Sequence, residues 1–126
     1  MCRYVLALLV VLGVVGVADV RNAHAQASTS ESCLPSVLKS RLSQIRSKFG
    51  AIKVVSTLRK GATIRGSGKR SYHASCRAVD FVPPSGKYKT VVRWLYANHD
   101  GSVGTYTCLS HIHIDNGPNY RWSKCR

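Results

Sequence analysis

The chain has 126 residues, with 19 Lys plus Arg against 5 Asp plus Glu and a formal charge of +14. A hydrophobic content of 44% excludes a wholly disordered chain, and no apolar run reaches the ~18–20 residues of a membrane span. The length suits one domain, ten glycines without period exclude a collagen-like chain, and no internal repeat supports a solenoid.

Residues 1–25 read as a secretory signal. Arg3 gives a positive start, Val5 to Val17 is apolar apart from Gly13 and Gly16, and Ala23-His24-Ala25 supplies the small residues of an A-x-A cleavage site. Cleavage after Ala25 removes Arg3, Arg21 and Asp19, which leaves 17 basic and 4 acidic residues. Such a field attracts polyanions: cell-wall polymers, anionic lipid surfaces or extracellular nucleic acid. Charge alone does not choose among them. Cleavage also removes Cys2, so Cys33, Cys76, Cys108 and Cys125 remain. An even count in a small exported domain predicts two disulfides, and no C-x-x-C pair favours zinc instead. Three pairings are possible; Cys33–Cys125 with Cys76–Cys108 is the expected one.

Residues 26–32 are a polar, loose lead-in to a domain at 33–126. Leu34, Leu38, Leu42, Ile45 and Phe49 then recur at helical spacing, with Pro35 near the start and Gly50 at the end. Ile52 to Thr57 is β-branched and predicts a strand. Residues 58–72 hold three glycines and five basic residues and predict a long, mobile, cationic loop. Ala78 to Val82 predicts a second strand, ended by Pro83-Pro84. A second helix is expected over Tyr88 to Asn98, with Val91, Val92 and Leu95 inward. Asp100-Gly101 turns the chain, and Val103 to Tyr106 and His111 to Asp115 read as closing strands. The expected class is α+β, a small antiparallel sheet with two main helices.

Asp80 and Asp115 stand inside predicted strands beside apolar neighbours. A half-buried carboxylate there needs a partner, either arginine or a metal ion. His111-Ile112-His113-Ile114-Asp115 alternates strictly, which puts both histidines and the acid on one strand face. His73 lies seven residues before Asp80, near enough for a turn to bring the two together. His99 reads as a helix-end residue rather than a ligand.

The run Ser71-x-His73-x-x-Cys76-x-Ala78-x-Asp80 resembles the S-x-H-x-x-G-x-A-x-D signature of the LAS-type zinc D-alanyl-D-alanine peptidases. His111-x-His113-x-Asp115 resembles their H-x-H motif. Gly101-Ser102-Val103-Gly104-Thr105-Tyr106, Ser56-Thr57-Leu58-Arg59 and Trp122 are similar to elements of the small VanY/YcbK-like branch. Two features depart from the pattern: Cys76 stands where Gly is usual, and no Glu follows residue 31.

The resemblance implies a hedgehog/DD-peptidase-like fold and a Zn2+ site built from His73, Asp80 and His113. It assigns the general base to His111 and oxyanion stabilisation to Arg59. Asp115 then orients a histidine from behind, and Ser71 shapes the loop rather than attacking. The implied substrate is the peptidoglycan stem peptide, met in a periplasm or outside the cell by a monomer with no membrane span after signal cleavage and no specific nucleic-acid partner. Tyr72, Tyr106, Tyr120 and Trp122, with the cationic loop, are candidates to shape the groove. Two rivals stand beside this reading: a non-catalytic, zinc-containing wall-binding module, and a secreted cationic protein that binds polyanions by charge.

Overall fold

The computed structural model describes residues 27–125. The expected signal sequence therefore lies outside the described residues. In chain order the elements are α1 (Ser36–Phe49), β1 (Lys53–Ser56), a single 3-10 turn (Tyr72–Ser75), β2 (Ala78–Val82), α2 (Tyr88–Asn98), β3 (Val103–Tyr106), β4 (Ile112–Asp115) and β5 (Arg121–Lys124). The class is α+β, as expected.

The leucine stripe accounts for α1. Leu38, Leu42 and Ile45 are fully buried, and Arg46 and Lys48 sit in the last turn, where cations complement the helix dipole. Gly50 ends the helix at φ 111°, a left-handed value that glycine adopts freely. Val91 and Leu95 form the buried stripe of α2, and Phe49 meets Trp94 edge-on to join the two helices.

The sheet runs β1-β2-β4-β3-β5. Its first four strands pair antiparallel, but β5 joins β3 in parallel, so the sheet is mixed. Residues 116–120 carry the chain across the end of β3, held by Ser102 Oγ to Pro118 O at 2.7 Å and Val103 N to Tyr120 O at 2.9 Å. Alternation divides the two sheet faces. Val79, Phe81, Val103, Ile112 and Ile114 join the helical stripes in one core. The other face carries a row of five residues in register, one per strand: Ser56, Asp80, His113, Gly104 and Trp122.

Three local expectations need correction. The lead-in is tied down, because Thr57 N donates to Ser28 O and Thr57 Oγ1 to the carbonyls of Ser28 and Ser30. The cationic loop contains a short arm, closed by a Thr63–Arg70 bridge and by Ile64 N to Lys69 O at 2.7 Å. The disulfides pair as Cys33–Cys76 and Cys108–Cys125, not as Cys33–Cys125 and Cys76–Cys108. The reason is β5: its pairing of Tyr106 with Lys124 sets Cys108 and Cys125 side by side just past the two strand ends. Cys33, ahead of α1, then meets Cys76 at the end of the 3-10 turn.

Candidate metal centre and cleft

Two segments converge on the polar face of the sheet. Asp80 and His113 are direct cross-strand partners of β2 and β4, so their side chains rise together from the centre of the sheet. His73 arrives from the 3-10 turn. Ser71 caps that turn by accepting a hydrogen bond from His73 N. Cys76 closes the turn at φ 55°, the one positive φ outside glycine among the described residues. The segment after β1 is laced to the same turn, with Arg59 N donating to His73 O at 2.9 Å.

One ligand atom from each of His73, Asp80 and His113 lies within 4.8 Å of the others. His113 Nδ1 is 2.9 Å from Asp80 Oδ1, His73 Nε2 is 3.2 Å from Asp80 Oδ2, and the two ring nitrogens are 3.3 Å apart. The far side of each ring fixes its tautomer. His73 Nδ1 faces the Thr57 carbonyl at 2.8 Å, an acceptor only, so Nδ1 carries the proton. His113 Nε2 faces Asp115 Oδ2 at 3.0 Å, so it donates there. In the neutral rings the remaining nitrogens, His73 Nε2 and His113 Nδ1, are lone pairs aimed at each other and at a carboxylate. Such a set is repulsive unless a cation or a proton sits among them. Three convergent N, N and O donors, all buried, fit a divalent ion with three protein ligands.

A proton can fill that place. Burial alone would raise the Asp80 carboxyl, but hydrogen bonds from His113 and His73, once these rings are protonated toward it, outweigh it and hold Asp80 far below the usual carboxylate range. Burial alone would lower His113, but Asp115 and Asp80 outweigh it and push the imidazole up. Asp115 is held down despite burial, chiefly by His113 and by Gly117 N–H at 2.8 Å, with Ser102 N adding a further bond at 3.2 Å.

Arg59 stands beside this group, with Nη2 3.7 Å from Asp80 Oδ2 and a buried Nε that has no hydrogen-bond partner among the described residues. His111 is not in the metal-type cluster. It lies one residue before β4, half-buried, with its ring 4.6 Å from that of Tyr106. Tyr106 meets Trp122 at 5.3 Å, and Trp122 meets His113 at 5.4 Å, so an unbroken series of rings joins His111 to His113. His99 caps the end of α2 and donates from Nε2 to Asp115 O at 2.8 Å, away from the cluster.

A cleft of about 920 Å³ opens over His73 and His113. Tyr72, Tyr106, Tyr120 and Trp122, the four aromatics expected at the groove, all line it. Three contributors escape a side-chain reading of the sequence. The Thr57 carbonyl that orients His73 is a backbone group, with no signature in residue type. Gly104 had a signal, because glycine inside a strand marks a close approach; a Cβ there would overlap the Trp122 ring. Gly117 likewise leaves room for Tyr72, whose ring carries the Arg77 guanidinium 4.8 Å above it.

Residues 15–115 match the family model Peptidase M15, and the chain belongs to that family. No curated protein and no solved structure matches the chain.

Proposed function

From membership in a peptidase family, we propose that this chain is an exported zinc peptidase that hydrolyses D-amino-acid amide bonds in peptidoglycan stem peptides. The single observation that supports this most is the buried His73–Asp80–His113 donor set at the floor of a cleft, with both histidine tautomers fixed from behind. Zinc held by these three residues would supply Lewis acidity, polarising the scissile carbonyl and making a water molecule acidic near neutral pH. In this reading the remaining work falls to the chain itself. His111 accepts the proton of the attacking water and returns it to the leaving amine. Arg59, already paired loosely with Asp80, offers its guanidinium to the developing oxyanion. Asp115 and the Thr57 carbonyl hold the two ligand rings in the required tautomers.

Two disulfides are compatible with export, and no helix among the described residues is long and apolar enough to cross a membrane. Residues 1–25 would be the signal, and the protein would act as a monomer in the periplasm or outside the cell.

The test uses the mature chain, its zinc content, and mass spectra of defined muropeptides digested with and without chelator. Expected are cleavage that chelation abolishes and zinc restores, and a His111→Ala variant that keeps zinc but loses about 10²- to 10⁴-fold in rate. Chelator-insensitive cleavage refutes the metal. A zinc-loaded protein that binds wall fragments without cutting them refutes the peptidase and leaves the binding module.

A further inference from the structure

The cleft over His73 and His113 is strongly one-signed. Six cationic residues line it: Arg59, Arg65, Lys69 and Arg70 from the segment before the 3-10 turn, and Arg121 and Lys124 from β5. The only carboxylate among its lining residues is Asp115, which is buried and spent on His113, Ser102 N and Gly117 N. Three of the six cations are also committed. Arg59 faces Asp80, Arg70 reaches Ala74 O, and Arg121 braces the carbonyls of Gly101 and His99. The side chains of Arg65, Lys69 and Lys124 have no partner among the described residues. Arg65 and Lys69 ride on the arm closed by Thr63 and Arg70, and Lys124 stands on β5. Three uncommitted cations from two separate elements therefore border the one cleft that holds the candidate metal centre.

We infer that Arg65, Lys69 and Lys124 select substrates by charge: the cleft takes peptides with a free side-branch carboxylate and discriminates against the same peptides when that group is a carboxamide. The inference rests on the peptidase reading for its substrate but not for its binding preference. Amidation leaves size and shape nearly unchanged and removes one negative charge, so it isolates the electrostatic contribution. A cleft of this volume suits a short peptide. Exposed cation–carboxylate contacts are individually weak and are screened by salt, so the preference should be modest and salt-dependent.

The probe is a pair of peptides, L-Ala-γ-D-Glu-L-Lys-D-Ala-D-Ala and its counterpart with the free α-carboxylate of the D-Glu amidated. Cleavage rates and calorimetric binding to the zinc-loaded protein are measured at low and at ~0.2 M salt. The expected result is a preference of about five- to tenfold for the carboxylate form at low salt, shrinking at the higher salt. The triple variant Arg65→Gln, Lys69→Gln, Lys124→Gln should bring the ratio close to one. These side chains are exposed, so the variant should fold, and its thermal midpoint checks that it does. Equal handling of the two peptides, or a preference that survives the triple variant, overturns the inference. If neither peptide is cut, the peptidase reading fails for this substrate and the binding ratio alone decides: a salt-sensitive preference lost in the variant supports charge selection, and equal binding refutes it.

Discussion

Cys76 occupies a backbone conformation that residues with a Cβ avoid, and a covalent bond to Cys33 holds it there. The φ of 55° is left-handed, which costs a non-glycine residue about 1–2 kcal/mol. The bond closes a loop with a sequence separation of 43, for which chain entropy gives about 4 kcal/mol. Two double variants separate these contributions, Cys33→Ser with Cys76→Gly and Cys33→Ser with Cys76→Ala. Both lose the cross-link and should unfold more easily than the parent by roughly 4 kcal/mol. In ordinary backbone glycine would be the weaker choice by about 0.5–1 kcal/mol. Here the order should invert, with the glycine variant about 1 kcal/mol more stable than the alanine variant. Denaturant unfolding in chelator measures this without any metal contribution, and zinc titration then reports whether the His73 turn keeps its geometry. The glycine variant should also bind zinc more tightly, since His73 lies in the same turn. An alanine variant as stable as the glycine variant would refute the argument that the disulfide secures a left-handed residue at the ligand turn.

Three further outcomes follow from the same geometry. Gly104→Ala should cost about 1–3 kcal/mol because its Cβ overlaps the Trp122 ring, and clearly less in a Trp122→Ala background; equal costs in a double-mutant cycle would mean that the ring does not set the requirement for glycine. Asp115→Asn should weaken zinc binding about 10- to 100-fold in competition with a chromophoric chelator, and unchanged affinity would show that the carboxylate does not support His113. His99 is buried, and burial together with the nearby Arg41 and Arg121 lowers its pKa below 6.5, so the fold favours the neutral ring. Its contribution is present above pH 6.5 and is lost as pH falls through the lower folded value, because protonation would bury a second N–H at Nδ1, which has no partner. The stability difference between wild type and His99→Gln should therefore shrink between pH 7.5 and 5, and a constant difference would refute this role.

Where side-chain periodicity decides structure, the sequence was readable. The stripe of α1 buries Leu38, Leu42 and Ile45 as their spacing selects, and the runs Ala78–Val82 and Val103–Tyr106 form the expected strands, buried on both faces. The alternation of His111 to Asp115 separates Ile112 and Ile114, in the core, from His113 and Asp115, on the polar face. Arg121-Trp122-Ser123-Lys124 offers no such pattern. It is an edge strand, half-exposed to exposed throughout, and its backbone pairing with β3 fixes it in place. Without β5 neither the mixed sheet nor the cysteine pairing is legible, because proximity of Cys108 to Cys125 depends on that strand. The convergence of His73 with Asp80 and His113 was visible as residue types and spacing. Its orientation was not, since a backbone carbonyl directs one ring and a missing Cβ admits the indole beside the other.

The row Ser56, Asp80, His113, Gly104 and Trp122 takes one residue from each of the five strands. A one-residue slip in any pairing would send that strand's contributor to the opposite face. Of these only Asp80 and His113 belong to the candidate metal set, so loading an ion there would report the register of the central β2–β4 pair. A molecule misaligned at that pair would be marked by its failure to load.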